Sequence, residues 1–173
     1  MTRQTQFEAL VQAYSADLYR FAVWLVRDRA LAEDLVQESF MRAWKALDSL
    51  RDPATAKSWL ITILRRERAR HFERAPPASD PLEAVDLDKI TGFDDGHGRI
   101  EIFTLRRALA RLPEDYREPL LLQVLGGYSC EEIGELLGLL PGAVMTRLSR
   151  ARQKLRHSLE QEDDMPRSKG MTP

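Results

Sequence analysis

The sequence predicts an all-α protein built from two small helical domains that are joined by an acidic flexible linker. Apolar residues recur at steps of three and four in both halves of the 173-residue chain, which is typical of amphipathic helices. No run of alternating apolar and polar residues between turn residues indicates a β-sheet. The middle of the chain is rich in proline, glycine and acidic residues, and it separates the two periodic halves.

Three helices are expected in the first domain, residues 1–75. Asp28 is placed to cap the second helix, because a carboxylate there accepts a free backbone N–H. Asp52 and Pro53 are placed to start the third, since proline at the first helical position loses no needed hydrogen bond. The apolar stripes are Phe7, Leu10, Val11, Tyr14, Leu18, Phe21 and Leu25, then Leu31, Leu35, Val36, Phe40, Ala43, Trp44 and Leu47, then Trp59, Leu60, Ile63 and Leu64.

Charge separates the linker, residues 76–103, from the blocks on either side. The linker has two basic and seven acidic side chains, a net charge of −5, whereas residues 1–75 carry +3 and residues 104–160 carry +2. Acidic segments rich in proline and glycine stay solvated, so we expect a linker here and a flexible tail over residues 161–173. The net charge of −1 argues against a nucleic-acid partner, but the distribution of charge argues for one.

The second domain, residues 104–160, is expected to open with two short helices. The first runs from Thr104 to Leu112, and the second ends at the glycine pair 126–127. Pro119 fits poorly inside the second helix, because proline lacks the backbone N–H that a helix interior needs. We therefore expect a kink or a late start there.

The end of the second domain predicts a helix-turn-helix. Ser129 and Glu132 form a capping box, Gly138 ends the short helix, and Pro141 opens a longer one. No acidic residue interrupts the longer helix as far as Leu159, and its basic residues are Arg147, Arg150, Arg152, Lys154 and Arg156. A basic helix alone is typical of a solvated surface, but after a capped helix and a tight turn it indicates duplex DNA recognition.

A second basic cluster lies on the third helix of the first domain. Aromatic residues accompany it, and basic side chains with nearby aromatics suit a single nucleic-acid strand. The alternative is that Trp59 belongs to the core, since it has helical spacing with Leu60 and Ile63. The cluster consists of Arg65, Arg66, Arg68, Arg70 and Arg74, with Trp59, His71 and Phe72 close by.

The second helix presents a polar cluster that suits a protein partner. Glu33, Asp34, Gln37 and Glu38 share the polar side of a strongly amphipathic segment, residues 32–44. Such a face is typical either of ordinary solvated surface or of a docking site for another protein.

Several classes of function find no support in the sequence. The single cysteine, Cys130, excludes an internal disulfide and a multi-cysteine zinc site, and the three histidines lack metal-ligand spacing. No phosphate loop, dinucleotide fingerprint or nucleophile elbow occurs, so we expect no enzyme, no cofactor and no metal. The polar N-terminus and the short apolar runs predict a cytoplasmic protein without a membrane span of its own. Cys130 is interpreted as a small residue at a helix start, with a redox role left open.

In this order, the segments resemble the extracytoplasmic-function (ECF) sigma factors, the small two-domain initiation factors of bacterial RNA polymerase. The resemblance covers about residues 7–157. AEDLVQESFMRAW resembles region 2.2, which docks on the clamp helices of the polymerase β′ subunit. KSWLITILRRERARHFER resembles regions 2.3 and 2.4, which melt the −10 element and capture its non-template strand. The helix-turn-helix resembles region 4, whose last helix reads the −35 element.

The resemblance implies three groups of site residues. Polymerase docking falls to Asp34, Leu35, Gln37, Glu38 and Phe40, of which Leu35 and Phe40 also suit a core. Binding of the −10 strand falls to Trp59, Arg65, Arg66 and Arg70. Binding of the −35 element falls to Met145, Thr146, Arg147, Ser149 and Arg150. The chain departs from the common family pattern at Arg66, where many members have asparagine, at Gly134, where alanine is common, and at Ala143, where threonine is common.

The expected function is therefore that of an alternative sigma factor. Its implied partners are core RNA polymerase, through the β′ clamp helices and the β subunit, promoter DNA as duplex −35 and single-stranded −10 elements, and an anti-sigma factor. One alternative is a stand-alone helix-turn-helix regulator whose first domain dimerises, which would bind palindromic duplex without polymerase. Another is a helical interaction module such as an anti-sigma or adaptor protein, which needs no basic recognition helix.

Overall fold

The structure is a computed structural model, and it describes the backbone of residues 1–75 and 99–163 and the side chains of residues 1–75 and 104–161. Every regular element in these residues is a helix, which confirms the predicted all-α fold. The α-helices are α1 (Arg3–Val26), α2 (Arg29–Lys45), α3 (Ala56–Arg74), α4 (Arg99–Arg111), α5 (Glu114–Val124), α6 (Cys130–Leu137) and α7 (Pro141–Asp163), with 3₁₀ turns at Leu47–Ser49 and Pro53–Thr55. Each described helix is too short or too polar to cross a bilayer.

Most of the predicted linker, residues 76–98, lies outside the described residues, as does the tail beyond residue 163. The last part of the predicted linker is helical, because α4 begins at Arg99 rather than at Thr104. The helical spacing of Ile102, Leu105 and Leu109 accounts for this earlier start. α5 begins at Glu114 and contains Pro119 in its interior, so the expected late start is wrong.

Helices α1, α2 and α3 form the N-terminal unit. The predicted cap at Asp28 is confirmed, since its carboxylate accepts the Leu31 N–H at 3.1 Å. Asp52 accepts the Ala54 N–H at 2.9 Å, and Pro53 opens a 3₁₀ turn that leads into α3. α2 packs against both α1 and α3, so the three helices share one core.

Helices α4 to α7 form the C-terminal unit, which contains the predicted helix-turn-helix. The capping box is confirmed, since the Ser129 hydroxyl accepts the Glu132 N–H at 3.1 Å and the Glu132 carboxylate accepts the Ser129 N–H at 2.7 Å. Gly138 ends α6 with a φ of 67°, a left-handed conformation that favours glycine. A Cβ at Gly134 would lie 2.6 Å from the carbonyl oxygen of Leu139, so the close approach of the turn favours glycine there as well.

The two units pack against each other in the described chain. One continuous cluster of buried side chains contains Phe21 and Leu25 of α1, Leu121 of α5 and Leu148 of α7. The main helix pair across the boundary is α1 with α5. This packing places α3 of the first unit beside α5 and α6 of the second.

Candidate nucleic-acid interface

The last helix, α7, has one buried face and one exposed face. Val144, Leu148 and Ala151 are almost fully buried, which confirms the predicted inward face. The predicted reading residues Met145, Thr146, Ser149 and Arg150 are exposed on the rest of the helix. Met145 keeps 60% of its surface exposed, a large fraction for an apolar side chain. The helix therefore displays these residues to solvent.

The basic residues of α7 do not share one environment. Arg152 donates a hydrogen bond to the Gln123 side chain, and the Lys154 ammonium lies 5.5 Å from the centre of the Tyr116 ring. Arg147 lies 3.7 Å from an oxygen of the Asp115 carboxylate. Arg147, Arg152 and Lys154 therefore all contact α5, and Arg150 is the exposed basic residue of the predicted reading face.

The predicted single-strand residues of α3 are divided between two places. Trp59, Arg65 and Arg66 line a cleft of about 850 Å³ between the units. Trp59 also packs against the buried cluster, as the core interpretation predicts, and its contact with a single strand stays a prediction. Arg70 lies elsewhere, in the groove between α2 and α3, where its guanidinium donates to Glu67 at 2.7 Å.

Arg65 is engaged by the C-terminal unit. Its Nε donates to the Glu118 carboxylate at 2.6 Å, and its Nη1 donates to the Leu136 carbonyl at 2.5 Å. Arg66, next to it, is exposed. The structure therefore places two of the residues predicted to bind nucleic acid at the cleft. Arg65 lies in the cleft wall with two of its donors already hydrogen-bonded, and Arg66 is exposed to solvent.

The predicted docking residues of α2 also divide into exposed and buried positions. Asp34, Gln37 and Glu38 are exposed and line the α2–α3 groove. Leu35 is 3% exposed and belongs to the core, so any contribution it makes to docking is indirect. Phe40 is half-buried, with its ring 6.2 Å from that of Phe7. On the same helix, Met41 and Trp44 are exposed apolar side chains that the sequence analysis did not single out as site residues.

Sequence reasoning missed the residues that join the two units. Arg117 is 2% exposed and donates to the carbonyl oxygens of Leu112 and Leu25, at 2.6 and 3.0 Å. Burial lowers the pKa of Arg117 to about 10, and the nearby guanidinium of Arg27 acts in the same direction. The sequence contains only a weak signal of contact between the units. Glu114 and Glu118 lie one turn apart in α5, so their negative charges are complementary to the basic side chains of α3.

Burial also perturbs a tyrosine in the cleft. Tyr128 lines the cleft, and its buried hydroxyl has no hydrogen-bond partner among the described residues. Burial raises the pKa of this phenol to about 12, and the negative charge of Glu132 adds to the effect.

Two family profiles match the chain in order. Sigma-70 region 2 matches residues 10–75, and Sigma-70, region 4 matches residues 102–155. The first match covers most of the N-terminal unit, and the second covers most of the C-terminal unit, including the helix-turn-helix.

Individual relatives agree with these profiles. The chain is 32% identical over 163 residues to the ECF RNA polymerase sigma factor SigC of Mycobacterium tuberculosis, covering 90% of this chain and 84% of the relative. It is 34% identical over 171 residues to the "Probable RNA polymerase sigma factor RfaY" of Xanthomonas campestris, covering 93% of this chain but only 42% of that longer relative.

A solved structure shows the same architecture. It is that of the sigma factor RpoE in complex with the anti-sigma factor NepR from Bartonella quintana, which matches with a TM-score of 0.70 and 28% identity, over 90% of this chain and 97% of that one. Because both family profiles match in order and a relative is 32% identical over most of both chains, this chain belongs to the ECF sigma factors of the sigma-70 family.

Proposed function

We propose that the chain binds core RNA polymerase and directs it to promoters by reading a duplex −35 element with α7 and a melted −10 element with α3. The observation that carries this proposal is the face of α7, where Met145, Thr146, Ser149 and Arg150 are exposed above a buried inward face. A helix held this way after a capped helix and a glycine turn fits the major groove of duplex DNA.

Within the −35 element, the arginines of α7 take different roles. Arg150 is exposed, and its planar guanidinium can donate hydrogen bonds to both O6 and N7 of one guanine. Arg147, near the start of α7, suits a phosphate, which positions the helix without reading sequence. The Thr146 hydroxyl donates to the Gly142 carbonyl at 3.0 Å, so its oxygen remains available as an acceptor from a base amine.

Within the −10 element, the cleft side of α3 binds the unpaired non-template strand. Arg65 and Arg66 supply charge for phosphates, and Trp59 supplies a flat surface for a base. Arg66 stands where asparagine is common in the family. Its guanidinium carries paired donors, so it favours a base with two acceptors on one edge. Arg70 lies in the other groove and contacts the strand only if the strand continues across α3.

Docking on the polymerase uses the exposed polar face of α2. Asp34, Gln37 and Glu38 offer acceptors to basic residues of the β′ clamp helices, and the exposed Trp44 and Met41 add apolar contact area next to them. The β subunit is the proposed partner of the C-terminal unit. The chain performs no covalent chemistry itself and acts in the cytoplasm, where an anti-sigma factor holds it inactive, as NepR is bound to RpoE.

Run-off transcription tests this proposal. Core polymerase, the chain and pooled genomic fragments are expected to give transcripts whose mapped 5′ ends share −35 and −10 sequences. Asp34→Lys with Glu38→Lys is expected to abolish them by placing positive charge on the docking face. Glu8→Lys, an exposed substitution on α1, is the control and is expected to leave them unchanged. An absence of chain-dependent transcripts from every fragment, or tight palindromic duplex binding without polymerase, would reject the proposal.

A further inference from the structure

The tip of the helix-turn-helix has no charged side chain. We define the tip as residues 136–146, which end α6, form the turn and begin α7. Glu135 precedes the tip and Arg147 follows it, so the eleven residues between them are all uncharged. Side-chain contacts with phosphates rest mainly on Lys and Arg, so the tip offers the DNA backbone no cation.

Two large apolar side chains of the tip lie in solvent. Leu140 keeps 79% of its surface exposed, and Met145 keeps 60%. Apart from Met1, Leu140 is the most exposed large apolar residue in the part of the chain that the structure describes. Single exposed apolar residues are common on protein surfaces. Two of them at the start of a recognition helix form a local apolar surface.

The backbone at Leu140 is fixed, although its side chain is exposed. Its carbonyl accepts the N–H groups of Ala143 at 3.0 Å and of Val144 at 3.2 Å, which closes the first turn of α7. The Leu139 N–H donates to the Gly134 carbonyl at 2.9 Å, which holds the turn against α6. The fold therefore presents the leucine side chain from a defined position.

The two helices of the helix-turn-helix begin with different chemistry. Ser129 precedes α6, and its hydroxyl accepts the Glu132 N–H. Leu140 precedes α7, and a leucine has no side-chain acceptor for the N–H groups of the first turn. The leucine side chain therefore contributes no cap to its own helix, and its apolar surface is open to burial against a partner.

The place of this surface on the recognition helix indicates which partner covers it. The N-terminal residues of such a helix contact base edges in the major groove. The methyl group at C5 of thymine is the apolar group that apolar side chains contact there. Leu140 and Met145 are five positions apart, about 7.5 Å along a helix axis. Base pairs are about 3.4 Å apart, so the two side chains reach different pairs.

We infer that the tip reads thymine, with Leu140 and Met145 each burying the 5-methyl group of a thymine in the −35 duplex. The inference rests on the −35 binding proposed above. It adds Leu140 to the reading residues and names a base for two positions of the element. Arg150 and Arg147 act from the charged part of α7, beyond the tip. The expected result is discrimination against cytosine and uracil, which lack the methyl group.

Removal of single methyl groups from the DNA tests this inference without changing a hydrogen bond. The immobilised full chain first selects duplexes from a pool with a randomised central segment, at low salt because duplex affinity falls steeply as salt rises. Each thymine of the selected duplex is then replaced in turn by deoxyuridine. Affinity is expected to fall about fourfold at two thymines, the effect of no longer burying one methyl group, and to stay unchanged at the others.

Alanine substitutions connect each methyl group to one side chain. In Leu140→Ala the loss at one of the two thymines is expected to disappear, and in Met145→Ala the loss at the other, because the side chain that covered the methyl group is gone. Val124→Ala is the matched control, since Val124 is 68% exposed at the end of α5, outside the helix-turn-helix. This variant is expected to keep both losses.

Salt dependence separates base reading from phosphate binding. Methyl contacts release no counterions, so Leu140→Ala with Met145→Ala is expected to leave the slope of log affinity against log salt unchanged. Arg147→Ala, at the proposed phosphate contact, is expected to reduce the slope by about one. A reduced slope in the double alanine variant would mean that the tip supports phosphate binding, which overturns the inference.

The remaining outcomes separate this inference from the proposed function. Selection of no duplex, or a selected duplex in which no thymine is sensitive to deoxyuridine, would overturn the inference whatever the transcription assay gives. A Leu140→Ala variant that loses affinity for core polymerase but not for duplex would assign the tip to a protein partner and overturn it as well. Methyl-sensitive duplex binding without promoter-dependent transcripts would support the inference and reject the proposed initiation function alone.

Discussion

The two basic helices of this chain, α3 and α7, have similar numbers of basic residues, six and five, but these residues differ in how available they are. In α3, Arg65 and Arg68 are paired with carboxylates of α5, and Arg65 also bonds the end of α6. In α7, Arg150 is exposed, while Arg152 and Lys154 contact α5 within their own unit. The number of basic residues on a helix therefore does not show how many of them can reach DNA.

The largest expected effect concerns which basic residues of α7 read DNA. Arg147→Ala with Arg150→Ala is expected to lower transcription from a mapped promoter by about thirtyfold or more, since each lost contact costs about 1–3 kcal/mol. Arg152→Ala with Lys154→Ala removes the same charge from side chains that contact Gln123 and Tyr116, and is expected to have a much smaller effect. Equal losses in the two double variants, measured by run-off transcription, would mean that charge alone matters.

The next prediction concerns how α3 is attached to α2. The Glu67 side chain is 9% exposed and lies 2.7 Å from Arg70 and 3.1 Å from Arg42. Glu67→Gln is expected to lower the free energy of unfolding by about 2 kcal/mol, because hydrogen bonds between charged groups are lost. Urea denaturation measures this, with Glu73→Gln on the exposed side of α3 as the control. A loss no greater than in the control would show that α3 depends on apolar packing alone.

A smaller effect is expected at the turn before α7. Gly138 has a φ of 67°, so Gly138→Ala is expected to cost about 1 kcal/mol of stability by forcing a left-handed alanine. Gly142→Ala is the matched control, since a Cβ there meets no atom within 4 Å. Thermal unfolding that ranked Gly142→Ala as the more damaging change would contradict this account of the turn.

The smallest effect, and one of opposite sign, is expected at the cleft between the units. Tyr128→Phe is expected to raise the free energy of unfolding by about 1 kcal/mol, since it removes a buried hydroxyl without a partner among the described residues.

The wild-type chain is also expected to lose stability between about pH 10 and 12, because the raised pKa of Tyr128 keeps the folded phenol protonated where the unfolded one ionises. Denaturation at pH 8 and pH 11 checks both: the advantage of the variant is expected to widen at pH 11.

Local signals in the sequence predicted much of the fold. The Asp28 cap and the Ser129–Glu132 capping box each join residues three positions apart, so a single sequence contains all of the information. The buried stripe of α7 follows from the helical period in the same way. The start of α4 was placed too late because Thr104 lies inside a periodic pattern that begins earlier.

Contacts between distant parts of the chain could not be predicted in this way. Arg117 and Leu25 are 92 positions apart, and the accepting group is a main-chain carbonyl that every residue possesses. No residue type in α1 therefore marks the contact. The same reasoning explains why Arg65 was assigned to DNA alone, and why Arg70 was grouped with Trp59 although the structure places it in a different groove.

Four hydrogen bonds across the boundary between the units join a basic side chain to a main-chain carbonyl at a helix end: Arg117 to Leu25, Arg27 to Ala110, Lys57 to Leu125 and Arg65 to Leu136. The chemistry of these contacts has a consequence for how the chain tolerates mutation. Substitution of Leu25, Ala110, Leu125 or Leu136 changes a side chain but leaves the accepting oxygen in place. Only the four donors, Arg27, Lys57, Arg65 and Arg117, can lose their contacts through a single codon change. The genetic information for this polar part of the boundary is therefore carried on one side of each contact, and the accepting helices are free to vary in sequence as long as they end at the same place.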